Sequence, residues 1–162
     1  MSTMHIQEKL VEDFLKVANI AGISLTPREI EIEILSAPHC QPPRLPTGKK
    51  AIYVFSAAEL CLKVGKAGPN SNPRFTSQHY NPKSSRSNLA KSILRSKPLL
   101  KSKIDTPRHV EIDQLSEENI KSWIETNSTR YHFFIDSKHD DLTLSLFEAF
   151  VQCRLKPLFE GQ

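Results

Sequence analysis

An α+β domain is predicted by three observations: helical apolar spacing near both ends of the chain, short runs of alternating or β-branched residues between them, and two such runs joined closely enough to form a hairpin. The chain has 162 residues, 38% of them apolar and 25% charged, with five glycines against eleven prolines. That size and mix suit a soluble domain with a real core and exclude collagen-like or low-complexity sequence.

The elements follow in order. Ile6, Leu10, Phe14 and Val17 recur at helical spacing over residues 4–19, with Gly22 as the stop. From Glu29 to Leu35, Glu31 and Glu33 alternate with isoleucines, the pattern of a half-buried strand. Four prolines in Ala37–Thr47 make an extended connector, which divides the chain into an N-terminal helix–strand extension, 1–46, and a main domain, 47–162. Ala51–Ser56 and Leu60–Val64 then flank a three-residue loop. That loop sets Ile52 against Val64 and Val54 against Leu62, matching apolar faces, and Tyr53 against Lys63 on the other face. Asn72-Pro73-Arg74 reads as a helix start with Asn72 as cap, and Ser87 caps a helix that turns Leu89, Ile93 and Leu94 inward and Lys91 and Arg95 outward. In 97–114, Val110 and Ile112 alternate with Glu111 and Asp113 as a strand would. Ser116 opens a helix carrying Ile120, Trp123 and Ile124; Arg130–Ile135 is a strand; and 140–156 is the last helix, with Asp140 and Asp141 explained by capping. On that helix Phe147, Val151 and Leu155 fall within about 60° of Leu144, and Glu148 about 40° from it. A carboxylate inside an apolar stripe is costly unless paired. Leu142, Leu146 and Phe150 form a second stripe, which leaves the buried face open.

Charge is partitioned along the chain. Residues 1–36 carry net −3 and residues 105–162 net −5, whereas 37–104 hold thirteen bases and one acid, Glu59, for net +12. A stretch so one-sided, with apolar residues interleaved throughout, points to a folded surface for a polyanion such as a nucleic-acid backbone. A solvated basic face, or a strip that docks an acidic partner protein, are the plainer readings. Cys40, Cys61 and Cys153 are too few and too scattered for a disulfide framework, and suit a reduced, cytoplasmic setting. No apolar run approaches the roughly 18 residues of a membrane span, and Met1–Lys9 lacks a signal core. Val64-Gly65-Lys66-Ala67 lacks the upstream glycine of a phosphate loop, and the histidines and cysteines show no paired zinc spacing.

One set of residues falls into a recognisable order: Ala51-Ile52-Tyr53, then Lys63-Val64-Gly65-Lys66, then Arg74, then Glu148 nine residues before Pro157. Over about residues 50–160 this resembles the GIY-YIG nuclease family. The resemblance implies a three-stranded antiparallel sheet flanked by helices and hydrolysis of DNA phosphodiesters with one divalent metal, Mg²⁺ or Mn²⁺. It makes Tyr53 the general base or water-positioning group and Gly65 the motif glycine that leaves room for substrate. Lys63 stands where the second motif usually has tyrosine, as in some members of the family. Arg74 becomes the phosphate-binding arginine and Glu148 the metal ligand, with His79 a candidate for a histidine that some members carry after the arginine. His79 is five residues beyond Arg74, so on an ideal helix it points elsewhere. Ala51 replaces the first glycine, and Glu160 stands where the family often has asparagine.

The expected function is therefore a metal-dependent DNA endonuclease, with restriction or phage defence as the first setting and repair and mobile-element roles left open. Tyr53, Lys63, Arg74, His79 and Glu148 form its catalytic set, and Lys66, Lys83, Arg86, Lys91 and Arg95 its DNA contacts. The alternative is a nucleic-acid-binding module that keeps the scaffold without turnover. The N-terminal helix and strand offer a surface for a homodimer.

Overall fold

The structure, a computed structural model, describes residues 3–160, with side chains from Ile6 onward; Met1, Ser2, Gly161 and Gln162, the ends of the two expected segments, lie outside the described residues. Four strands form one antiparallel sheet: β1 Ile30–Leu35, β2 Lys49–Ala57, β3 Leu60–Ala67 and β4 Thr129–Asp136, in the order β1-β4-β2-β3. The α+β class holds, but three strands were one too few. The Glu/Ile run pairs with β4, from Ile30 against Ile135 to Leu35 against Arg130. Side-chain chemistry explains the addition. Ile30 and Ile32 join an apolar cluster on one face, while Glu31 meets Lys49 Nζ at 2.6 Å and Glu33 meets His132 Nδ1 at 2.6 Å.

The hairpin corrects the expected register. Its turn has two residues, Ala58 and Glu59, both left-handed with φ of 48° and 65°. This backbone matches the twist of the flanking strands better than a longer loop does. Tyr53 consequently pairs with Gly65 and Val54 with Val64, and Lys63 lies opposite Phe55 instead of Tyr53. Leu62 is the extra residue of a bulge next to the Phe55–Lys63 pair, and it packs into the same core as Tyr53 and Phe55. The displacement is two positions, so Tyr53, Lys63 and Gly65 still share a face.

Helices cover both faces. α1 (Thr3–Ile20) and α7 (Asp141–Leu155) pack on one, with Phe14 stacked on Phe147 at 4.0 Å between ring centroids. Leu144, Phe147 and Val151 are buried while Leu142 is 76% exposed, so the first apolar stripe faces the sheet. Asp140 caps the helix by accepting from Thr143 N at 2.7 Å. The other face carries α2 (Asn72–Thr76), a 3₁₀ turn at Gln78–Tyr80, α3 (Leu89–Arg95), α4 (Lys97–Lys101), α5 (His109–Asp113) and α6 (Ile120–Asn127). Segment 97–114 is thus helical and not a strand. Val110 is exposed and Ile112 fully buried, although residues two apart on a strand would share a face.

Caps shift slightly from expectation. Asn88, not Ser87, caps α3 by accepting from Lys91 N at 2.8 Å. Ser71 precedes α2, and the Asn72 side chain instead accepts from Leu45 N at 2.8 Å, tying that helix to the proline-rich connector. α6 begins at Ile120 rather than near Ser116, whose backbone N–H donates to Asn119 Oδ1 at 2.7 Å in the preceding turn. Beyond α7, Lys156 adopts a left-handed conformation that stops the helix. Leu158 N and Phe159 N then donate to Cys61 O and Leu62 O at 2.9 and 3.0 Å, which lays the tail along the open edge of β3. Among the described residues no helix is long and apolar enough to cross a membrane.

Candidate functional site

The site is built around Tyr53. Its ring is fully buried on the inward face of β2, across from Gly65. A Cβ at Gly65 would stand 2.5 Å from Tyr53 Cζ and closer still to the hydroxyl oxygen, so the ring lies over bare backbone that only glycine supplies. Arg74, exposed in the first turn of α2, donates from Nε to Tyr53 Oη at 3.3 Å.

His79 reaches the same oxygen, against the helical expectation. α2 ends at Thr76, and the 3₁₀ turn that follows swings the imidazole inward until Nε2 is 2.7 Å from Tyr53 Oη. Leu89 N lies 3.2 Å from Nδ1 on the other side of the ring. A backbone N–H can only donate, so Nδ1 is the acceptor and the imidazole proton sits on Nε2. The Tyr53 oxygen therefore accepts from both His79 and Arg74, and its own proton is left free to be donated or lost. Burial, reinforced by the charges of Arg130, Lys63 and Arg74, holds His79 well below the ordinary imidazole value. Burial raises the Tyr53 phenol above its usual value, against the opposing pull of Arg74 and Arg130, while the nearby Glu148 carboxylate adds to the rise.

Glu148 approaches from α7, on the opposite face of the sheet, near enough to act on both Tyr53 and Arg74 through its charge. Lys66 of edge strand β3 holds it there, with Nζ 3.2 Å from Glu148 Oε2 and 2.8 Å from Ser145 Oγ. Lys63, a diagonal neighbour of Tyr53 rather than its direct partner, is almost fully buried and meets Glu160 Oε1 at 3.2 Å. Glu160, placed by the tail on β3, thereby gains a structural partner at the position the sequence pattern left unexplained. Among the described residues no group of three or more His, Cys, Asp or Glu could hold a metal ion. One carboxylate with a lysine on one oxygen fits only a hard dication that keeps most of its water, such as Mg²⁺, and does not fit zinc.

Tyr53, Arg74 and His79 thus come together, with Lys63 and Glu148 at their margin. The expected DNA contacts divide. Lys83 pairs with Glu117 at 2.8 Å, Lys91 Nζ donates to Ser85 O at 3.0 Å, and Lys66 serves Glu148. Arg86 and Arg95 have no ion-pair or hydrogen-bond partner among the described residues. The sequence reading missed Arg130, which is fully buried beneath Tyr53. A signal existed: Arg130, His132 and Phe134 alternate along one strand, so a cation occupies a face that ends in phenylalanine. No protein-family model, curated protein or solved structure matches this chain.

Proposed function

We propose that this chain is a divalent-metal-dependent DNA endonuclease resembling the GIY-YIG nucleases. One observation carries the reading: a buried phenol whose oxygen accepts from His79 Nε2 and Arg74 Nε, set over the bare backbone of Gly65, within reach of the Glu148 charge. An acceptor-saturated phenol is suited to orient an attacking water and, once deprotonated, to take its proton. Arg74 has only Nε engaged, which leaves its terminal nitrogens for the two non-bridging oxygens of a phosphodiester. Lys63 adds positive charge near the attacking oxygen. Glu148 would hold Mg²⁺ or Mn²⁺, which when bound supplies Lewis acidity at the scissile phosphate. Water attacks phosphorus, the P–O3′ bond breaks in line, and positioning with electrostatics provides most of the acceleration. A place in restriction or phage defence is the proposed setting.

Glu148→Gln should abolish Mg²⁺-dependent nicking of plasmid DNA and leave DNA affinity within about twofold, because it removes one charge and no backbone contact. Nicking at the wild-type rate by that variant would remove Glu148 from the mechanism. The Lys66–Glu148 ion pair favours a second reading, a nucleic-acid-binding module without turnover. Salt-sensitive binding with no cleavage of single- or double-stranded DNA in Mg²⁺ or Mn²⁺ would select it.

A further inference from the structure

Arg130 is a fully buried charged group that the proposed mechanism does not use. Its relative exposure is 0%, and its guanidinium carbon lies 4.8 Å from the ring centroids of Phe55 and Phe75, 5.3 Å from that of Tyr53 and 5.9 Å from that of Tyr80. Nη1 donates to Tyr80 Oη at 3.3 Å and Nη2 to the carbonyl of Phe75, whereas Nε has no protein acceptor among the described residues. No carboxylate pairs with it among those residues. A buried cation is normally paired, because removing it from water is expensive. Here the compensation comes from four ring faces, a carbonyl, a phenol oxygen and the charge of Glu33 on β1.

The tyrosine and histidine of the site border the same rings. His79 lies 4.9 Å from the Tyr53 ring and 5.5 Å from that of Phe55, centroid to centroid. Tyr80, beside His79 in the chain, is held from its other side by His39. Nδ1 of that histidine is 2.8 Å from Ser128 O and must carry the proton, so Nε2 accepts the Tyr80 hydroxyl at 2.8 Å. Hydrogen bonds thus run in one direction from Arg130 through Tyr80 and His39 to Ser128, fixing the guanidinium behind the Tyr53 ring.

We infer that Arg130 is a positioning residue of the proposed site: from its aromatic box it keeps His79 in the form that donates from Nε2 to Tyr53, and it supplies the counter-charge for a Tyr53 phenolate. A proton added at His79 Nδ1 would confront the Leu89 N–H and a second cation at once. Loss of the Tyr53 proton would instead pair an anion with a cation that no carboxylate contacts directly, Glu33 acting on it only through its charge. The other charged groups acting on Tyr53 and His79 are Arg74 from α2, Lys63 from β3 and Glu148 from α7, with Glu160 of the tail offsetting Lys63 and Arg74. Of the three cations, Arg74 is exposed and Lys63 is paired with Glu160 of the tail, whereas Arg130 is fully buried against the rings. The phenolate role rests on the nuclease reading; the histidine role does not.

The experiment uses the full chain. In the wild-type protein, ¹⁵N NMR of the histidines should show His79 protonated at Nε2 only from pH 8 down to pH 5; ordinary titration of that ring near pH 6.5 would overturn the inference. Arg130→Met keeps a long apolar side chain and removes the charge, while Arg130→Lys keeps the charge. In Arg130→Met, His79 should begin to titrate within the pH 5–8 range, the ¹³C resonance of Tyr53 should titrate about one unit or more higher, and the pH–rate profile for DNA cleavage should move alkaline by the same interval. Arg130→Lys should restore the wild-type profiles. A folded Arg130→Met protein with unchanged His79 and Tyr53 titrations overturns the inference and leaves the nuclease reading intact. Shifted titrations in a protein that cleaves nothing support the histidine role and sink the nuclease reading. If Arg130→Met does not fold, the wild-type His79 measurement decides.

Discussion

At the scale of the residue, the site depends on which atoms carry hydrogen. His79 is useful because Leu89 N–H occupies Nδ1, which forces the remaining proton to Nε2 and toward Tyr53. This arrangement has a thermodynamic signature. The folded protein resists protonating His79, whose ordinary value is 6.5, while the unfolded chain protonates it freely below that value. Between the two values the unfolded state binds more protons, so stability is complete above pH 6.5 and falls as the pH drops, at about 1.4 kcal/mol per pH unit for such a group. His39 and His132 are held down by burial as well and add to the slope. His79→Gln retains a side-chain N–H donor without the titration. Urea denaturation at pH 7.5, 6.5 and 5.5 should therefore show a shallower loss for His79→Gln than for the wild type, and parallel losses would mean that His79 titrates normally in the fold.

At the scale of the element, the hairpin turn decides which residues meet. A three-residue loop would have brought Lys63 to Tyr53; the two-residue turn brings Gly65, and with it the open backbone on which the phenol lies. Ala58 and Glu59 adopt left-handed conformations that side chains with a Cβ resist at about 1–2 kcal/mol each. Replacing them with Asn-Gly, the pair suited to this turn, should stabilise the protein by about 1 kcal/mol and raise Tm by about 2–4 °C. A fall in Tm on calorimetry would show that the turn is not of this kind. The site's dependence on turns also explains what could be read in the sequence. Periodicity located the long helices and all four strands, because burial of an apolar face repeats along an element. Tyr53, Gly65, Arg74 and Glu148 are singled out by the resemblance to the nuclease pattern, not by periodicity. Positive φ at Ala58 and Glu59 leaves no mark in residue type, so the register came out two positions away. The break after Thr76 that turns His79 inward depends on α3 offering Leu89 N–H from elsewhere in the chain, and Val110 and Ile112 alternate in sequence without alternating in space.

At the scale of the whole molecule, the three charge blocks fold against one another. The basic stretch 37–104 is partly neutralised by the acidic C-terminal third: Lys101 meets Asp113 at 2.7 Å, Lys83 meets Glu117, and Lys97 donates to the carbonyls of Asp113 and Leu115. These lysines fasten α4 and the loop before α3 to α5 and the residues that follow it, and have less charge to offer a phosphate. Among the described residues Arg86 and Arg95 are not so engaged, and under either nucleic-acid reading they are the ones left to meet phosphate. Under the nuclease or the binding reading, each contact to a DNA phosphate contributes close to one unit to the salt dependence of affinity. Arg86→Ala and Arg95→Ala should therefore each weaken binding to unrelated duplexes alike and flatten the plot of log affinity against log salt by about 0.9, without lowering Tm. Lys101→Ala should do the reverse, leaving the salt slope nearly unchanged while costing up to about 1 kcal/mol of stability through the lost ion pair. Equal effects of all three substitutions on the slope would mean that the pairs with the acidic segment open when DNA arrives, and that the whole basic stretch, not its unpaired arginines, forms the contact surface.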